Sequence, residues 1–168
     1  MHSDQQEESF LAIIEQHKGI IYKIAKSFKR NEYDKKDLVQ EIIFQLWRAF
    51  PSFDERCKLS TWMYRVALNV AISSYRKEQK KNELIIPLSE SAMDFAGDET
   101  PNETNLNLLQ QFINELKELD RALMILYLEE KSGKEMAEIL GLSEANIRTK
   151  TNRIKEQLKH RFSTINNQ

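Results

Sequence analysis

The sequence has little cysteine, proline and glycine. Cys57 is the only cysteine among 168 residues, so the chain can form no internal disulfide and no zinc site built on several cysteines. The three histidines are scattered at positions 2, 17 and 160, which does not predict a metal cluster. We therefore expect no metal and no other cofactor. The cysteine usage is typical of a protein in a reducing cytoplasm.

Long hydrophobic runs are also missing. No apolar run approaches the roughly 20 residues that span a bilayer. The first residues, MHSDQQEESF, are polar and acidic, unlike a secretory signal. We therefore expect a cytoplasmic protein without membrane insertion. The sequence offers no paired nucleophile and base and no phosphate-binding loop, so it does not predict an enzyme.

The total charge of the chain is close to zero, but positive and negative charges are concentrated in separate segments. The formal net charge is −1, which argues weakly against a nucleic-acid binder. Residues 56–81 nevertheless carry seven Lys or Arg against one Glu, and residues 145–162 carry six against one. Residues 82–120 carry nine Asp or Glu against one Lys. Two basic segments thus flank an acidic one.

Helical periodicity dominates the chain, and no convincing alternating strand is present. Pro87, Gly97 and Pro101 fall in a stretch rich in Ser, Glu and Asp without a sustained helical period. We therefore predict a linker over residues 82–104. The sequence predicts an all-α chain with two small helical domains, residues 1–81 and 105–168.

The first part predicts three or four helices. Gly19 is a possible break in the first, and Asp34 and Ser60 are plausible N-caps of the next two. In the helix that contains residues 60–80, polar and aromatic residues recur every three or four positions, beside an apolar stripe. That spacing places them along one strip of the helix. The strip consists of Trp62, Arg65, Asn69, Ser73, Arg76 and Lys80.

The segment SGKEMAEILGLSEANIRTKTNRIKEQLKHRF has the pattern of a helix-turn-helix. Gly141 suits the position after the first helix, where a positive φ is needed. Ser143 is the expected cap of the second helix. One face of that helix then carries, at helical spacing, Ile147, Thr151, Ile154, Leu158 and Phe162. The opposite face offers side chains that suit base edges and phosphates in a major groove.

Taken together, these segments resemble the extracytoplasmic-function (ECF) group of bacterial sigma factors. The resemblance rests on DLVQEIIFQLW (37–47), FDERCKLSTWMYRVALNVAISSYRK (53–77), the acidic linker and the helix-turn-helix, in that order. It implies two helical domains, called regions 2 and 4, which bind core RNA polymerase and read the −10 and −35 promoter elements. The resemblance implies polymerase contacts at Asp37, Gln40, Glu41, Gln45 and Trp47. It also implies that the linker threads toward the polymerase active-site channel.

The resemblance further implies two DNA-binding sets. Single-stranded DNA is bound by aromatic stacking and by cations along the backbone, and the loop at 54–60 would capture a flipped base. The −10 set is Lys58, Ser60, Trp62, Arg65, Asn69, Arg76, Lys77 and Lys80. The −35 set is Asn146, Arg148, Thr149, Lys150, Asn152, Arg153 and Lys155. Packing in the core is an equally open interpretation of Trp62.

Two departures and three alternatives accompany the resemblance. The family commonly has Leu-Pro where this chain has Leu119-Asp120, and a small or polar residue where it has Cys57. One alternative is a stand-alone helix-turn-helix regulator of duplex DNA. A second is a module that binds polymerase or an anti-sigma factor without reading DNA. An αα-hairpin with a solvated basic face is the third. For a sigma factor, the resemblance implies control by an anti-sigma factor.

Overall fold

The computed structural model describes residues 1–84 and 101–167, and these residues form helices and turns without a strand. The first part contains α1 (His2–Phe28), α2 (Glu32–Ala49), a short 3-10 turn (Phe50–Ser52) and α3 (Leu59–Leu84). The second contains α4 (Pro101–Glu115), α5 (Glu118–Leu128), α6 (Gly133–Leu140) and α7 (Glu144–Asn166). The all-α prediction is confirmed. Of the predicted linker, residues 85–100 lie outside the described residues.

The helices of the first part pack as a bundle around large aliphatic side chains. Ile24 of α1, Ile42 and Leu46 of α2, and Met63 and Leu68 of α3 are almost completely buried. Each such side chain contributes roughly 1.5–3 kcal/mol relative to an exposed position. This burial fixes which faces of α2 and α3 remain available for binding.

Three local predictions about the first part are wrong. Helix α1 runs through Gly19 without a break, because buried residues on both sides outweigh the roughly 1 kcal/mol that glycine costs in a helix. Helix α2 is capped by Asn31, whose side chain accepts a hydrogen bond from the Asp34 amide at 2.7 Å. Helix α3 already begins at Leu59, so Ser60 lies inside its first turn and is not its cap.

The helix-turn-helix is confirmed. Ser132 and Glu135 form a reciprocal capping box at the start of α6. Gly141 ends α6 with φ 69°, the left-handed conformation that glycine adopts without strain. The Ser143 hydroxyl accepts the Asn146 amide at 3.1 Å and caps α7. Ile147 and Ile154 are buried on the inner face of α7, so the opposite face of this helix points outward.

The two parts share one continuous hydrophobic core. Helix α3 packs against α5 and α6, and α1 packs against α4 and α5. Arg121 of α5 is 5% exposed at this junction. It donates a hydrogen bond to the Ser27 carbonyl of α1 and stacks between the rings of Phe28 and Tyr75, at 5.4 and 5.0 Å. The two parts are therefore packed together.

Candidate nucleic-acid interface

Trp62, the aromatic member of the α3 strip, lies in the core. Its side chain is 8% exposed. The indole packs against Phe53 at a centroid distance of 5.0 Å and against Phe50 at 6.3 Å. Of the two interpretations left open by the sequence, the structure favours packing.

Some polar side chains of the strip are exposed to solvent, and others bind the second part of the chain. Asn69, Ser73 and Lys80 are exposed on α3, as is Lys77 of the predicted −10 set. The Arg65 guanidinium donates a hydrogen bond to the Glu138 carbonyl at 3.1 Å, and Arg76 donates to the Glu118 carboxylate at 3.0 Å. Both partners belong to the second part of the chain. The predicted −10 surface is therefore partly covered.

At the covered end of α3, the ion pair with Arg76 favours the charged form of Glu118. Partial burial alone would raise the pKa of Glu118, but the hydrogen bond and the charge of Arg76, a backbone hydrogen bond and the charge of Lys117 together hold this pKa below its usual range. Nearby, burial and then the charge of Glu129 raise the pKa of Tyr64 to about 12. The Lys131 ammonium lies 5.2 Å from the Tyr64 ring centroid. Charged and aromatic groups therefore line the junction between α3 and the α5–α6 turn.

The loop before α3 borders a cavity of about 450 Å³. Glu55 adopts φ 60° at the loop's turn, and the Asp54 carboxylate accepts the Arg56 amide at 3.2 Å. Lys58 and Ser60, which we predicted near a base pocket, are the chain neighbours of the lining residue Leu59. The cavity is lined by Ile13, Phe50, Phe53, Glu55, Cys57 and Leu59.

Helix α7 directs a polar face away from the core. Asn146, Arg148, Thr149 and Asn152 are exposed on consecutive turns, as the sequence predicts. Arg153 is exposed too, but its guanidinium binds both carboxylate oxygens of Asp120, at 3.1 and 3.2 Å. The departure from Leu-Pro thus places an acid against a predicted DNA-reading residue.

The two lysines of the predicted −35 set, Lys150 and Lys155, are both half-buried. The Lys155 ammonium lies 4.5 Å from the Tyr127 ring centroid. A cation so placed can contact a phosphate while its aliphatic stem packs against the ring.

Sequence reasoning missed two lysines beside this face. Lys131 and Lys134 lie at the start of α6 and line a cleft together with Arg148, Asn152 and Lys155. A helix N-terminus attracts anions, and the first helix of a helix-turn-helix crosses the DNA backbone. The position of both lysines just before and at the first turn of α6 was the available signal.

The exposed face of α2 carries the predicted polymerase contacts. Asp37, Gln40, Glu41 and Trp47 are exposed, and Gln45 is half-buried, with its amide donating to Glu41 at 3.0 Å. Trp47 packs edge-on against Phe10, at a centroid distance of 5.0 Å. The sequence analysis missed Phe44 and Tyr33, which are 53% and 76% exposed. Phe44 follows Gln40 by four residues, a spacing that could have revealed it.

A groove joins the two predicted surfaces of the first part. It has a volume of about 580 Å³ and lies between α2 and α3. Glu41 and Gln45 line it from the predicted polymerase set, and Asn69 and Lys77 from the predicted −10 set. Polymerase and promoter contacts on this part would therefore be contiguous.

Two features are absent from the part of the chain that the structure describes. No group of three or more His, Cys, Asp or Glu in residues 1–84 and 101–167 is placed to hold a metal ion. Over the same ranges, no helix combines the length and the hydropathy needed to cross a bilayer.

Comparison with known proteins identifies both parts. The family model Sigma-70 region 2 matches residues 13–81, and Sigma-70, region 4 matches residues 106–158. The ECF RNA polymerase sigma factors SigW and SigM of Bacillus subtilis are each 27% identical to the chain. The match to SigW spans 95% of this chain and 91% of SigW. The match to SigM spans 88% of this chain and 91% of SigM.

Two solved structures share the fold. CnrH in complex with the cytosolic domain of CnrY superposes with a TM-score of 0.68 at 20% identity, over 94% of this chain and 90% of that one. The sigma factor RpoE in complex with the anti-sigma factor NepR from Bartonella quintana gives a TM-score of 0.64 at 19% identity, over 92% and 94%. The matched regions span most of the sequence in the order that the motifs predicted. The chain therefore belongs to the sigma-70 family of RNA polymerase sigma factors, in its ECF group.

Proposed function

We propose that this sigma factor directs initiation by reading two promoter elements with the surfaces described above. Residues 1–81 act as region 2 and residues 105–168 as region 4, joined by the acidic segment between them. The protein has no catalytic activity of its own and works in the cytoplasm, where it supplies binding energy and strand capture to core polymerase. The observation that carries this proposal is the outward polar face of a correctly capped α7, on the same chain as a cationic α3.

Region 4 reads the −35 element through the exposed face of α7. Arg148 and Asn152 lie one turn apart and carry no ion pair or side-chain hydrogen bond in the described structure, so they are available to base edges. Arginine suits guanine and asparagine suits adenine in the major groove. Lys131, Lys134 and Lys155 contact flanking phosphates, which position the helix without specifying sequence. Arg153 must exchange Asp120 for DNA before it can read a base.

Region 2 captures the melted −10 strand along α3. The cations Arg65, Arg76, Lys77 and Lys80 track the backbone, and Asn69 contacts a base or sugar edge. The cavity beside Cys57 receives a base that has left the stack. Its size lies within the range of small-molecule sites, about 300–1,000 Å³. Trp62 supports the loop at this cavity from beneath.

The partners follow from these surfaces. Core RNA polymerase binds the α2 face, and promoter DNA binds α3 and α7. Two structures with this fold are complexes: one holds CnrH with the cytosolic domain of CnrY, and the other holds the sigma factor RpoE with the anti-sigma factor NepR. We propose that an anti-sigma factor likewise controls this chain.

Run-off transcription tests the DNA-reading assignment. Core polymerase with this protein should produce defined transcripts from a promoter pool, and Arg148→Ala/Asn152→Ala should reduce them at least roughly 30-fold. That factor corresponds to two base contacts of about 1 kcal/mol each, the lower end of their range. Lys159→Ala is the matched control, since Lys159 lies on the same helix and pairs with Glu156 of that helix, at 3.5 Å.

Equal transcription by wild type and the double variant would contradict the α7 assignment. Binding of duplex DNA as a dimer, with no transcript from core polymerase, would instead favour the stand-alone regulator.

Binding to core polymerase tests the α2 face. Phe44→Ala should weaken polymerase binding because it removes an exposed aromatic side chain at the centre of that face. It should change the free energy of unfolding by no more than about 0.5 kcal/mol, as surface substitutions do. Competition against a labelled sigma factor for core polymerase measures the binding. Urea unfolding measures the free energy of unfolding. Tyr22→Ala, which removes a 58% exposed aromatic from α1, is the control. Unchanged competition by Phe44→Ala would exclude it from the interface.

A further inference from the structure

The cavity before α3 has one charged side chain among the described residues that line it, and that residue is Glu55. The other lining residues are four hydrophobic side chains and the Cys57 thiol. Glu55 is exposed, and within the described part of the chain its carboxylate has no hydrogen bond or ion pair. A ligand that enters the cavity therefore meets an unpaired carboxylate.

The charge of Glu55 is not neutralised by its neighbours in the loop. The Asp54 carboxylate lies 2.9 Å from Nε of Arg56 and also accepts the Arg56 amide at 3.2 Å. The next cation along the chain, Lys58, lies 3.8 Å from the Glu135 carboxylate of α6. The other charged groups of the loop thus bind elsewhere, and Glu55 is left to the cavity.

The backbone of Glu55 is unusual for a residue with a side chain. Its φ is 60°, in the left-handed region that glycine occupies without strain. Residues held in this region cluster at binding sites and active sites, where the surrounding structure maintains the strain. The loop therefore carries a carboxylate at a position where glycine would fit with less strain.

The chemistry of a carboxylate restricts which base it can bind. An ionised carboxylate accepts hydrogen bonds and donates none, and it repels phosphates. Guanine presents two adjacent donors on its Watson–Crick edge, N1–H and the N2 amine, one for each carboxylate oxygen. Cytosine and adenine present an amine beside an unprotonated ring nitrogen, and thymine presents one N–H between two carbonyls. Guanine is therefore the base whose edge best matches Glu55.

We propose that Glu55 selects guanine as the base that leaves the stack and enters this cavity. The inference rests on the proposed function, in which the cavity beside Cys57 receives a base from the melted −10 strand. Phe50, Phe53 and Ile13 supply apolar walls for the faces of the base, while Glu55 accepts hydrogen bonds from its edge. The cavity volume of about 450 Å³ leaves room for a purine.

The test uses holoenzyme assembled from the full chain and core polymerase. Holoenzyme selects from a pool of nontemplate single strands in which each −10 position is randomised in turn, and sequencing of the bound strands gives the base preference at each position. At one position we expect guanine to be enriched over thymine by about fivefold or more, the lower end of what one bidentate base contact discriminates.

Two variants of Glu55 and one matched control identify the source of the preference. Glu55→Gln should reduce the enrichment to less than about twofold, because an amide replaces one acceptor oxygen by a donor. Glu55→Gly, which suits φ 60°, should have the same effect in a folded protein. Asp54→Asn removes the same charge from the same loop and keeps an acceptor for the Arg56 amide, so it should retain the enrichment. Circular dichroism checks that all three are folded.

Guanine enrichment that persists in both Glu55 variants would overturn the role of Glu55. A wild-type preference for another base at every selective position would leave strand capture by α3 intact and exclude the selection of guanine. Failure of the proposed function gives a different result, because holoenzyme with the wild-type chain would then select no base at any −10 position.

Discussion

Replacement of Arg121 by methionine should lower the free energy of unfolding by about 3 kcal/mol or more. The guanidinium is almost completely buried and donates to the carbonyls of Ile113, Asn114 and Leu116, which close the turn between α4 and α5. Hydrogen bonds from a charged donor contribute roughly 1.5–3 kcal/mol each, and a buried carbonyl left unpaired is costly. Methionine fills much of the volume but supplies no donor.

Urea unfolding followed by circular dichroism measures the effect. Arg121→Lys should fall between wild type and Arg121→Met, because an ammonium retains charge but lacks the planar fork that reaches several carbonyls. Arg56→Met is the control: the Arg56 side chain is 88% exposed, so its loss should change stability by at most about 0.5 kcal/mol. An unfolding midpoint of Arg121→Met equal to that of wild type would show that the carbonyls find water instead.

Local chemistry explains why the helix-turn-helix was predictable. Gly141 adopts the left-handed conformation that other residues avoid, and Ser143 caps the helix that follows. Both requirements are met by residues within a few positions of the turn, so the sequence alone states them. The outward face of α7 follows from the buried Ile147 and Ile154 by helical periodicity.

The start of α2 was harder to predict because the sequence offers two candidate N-caps three residues apart. Asn31 and Asp34 are both good N-cap residues. The Asn31 side chain accepts the Asp34 amide, and the Asn31 amide group also donates to the Asp34 carboxylate, at 2.7 Å each. Asp34 therefore supports the cap from within the first turn. Propensity alone does not separate the two arrangements.

The surface of α3 could not be derived from its own sequence. Periodicity correctly places Arg65 and Arg76 on the polar side of the helix. Their partners Glu138 and Glu118 are 73 and 42 residues distant in sequence, and no local pattern specifies such contacts. For the same reason the sequence could not show that Arg121 joins α5 to α1 and α3. The proposed −10 site is thus predictable as a set of residues, whereas its occupation by the second part is a property of tertiary packing.

Replacement of Trp62 by alanine should lower the free energy of unfolding by about 3–5 kcal/mol, the usual cost of removing a large aromatic side chain from a core. Trp62 is 8% exposed and packs on Phe53 and Phe50. Trp47 is the matched control, because it is the other tryptophan of the chain and is 39% exposed. Trp47→Ala should therefore cost less than half as much. Circular dichroism in urea measures both without relying on tryptophan fluorescence.

Trp62→Leu separates packing from a direct role in DNA binding. Leucine retains apolar contact with Phe50 and Phe53 but has no aromatic face for a base. Loss of stacking on one base costs roughly 1–3 kcal/mol of binding. If Trp62 supports the loop from the core, Trp62→Leu should be folded, and its run-off transcription with core polymerase should stay within about twofold of wild type. A loss of more than tenfold in a folded protein would show that the indole leaves the core to stack on the promoter strand.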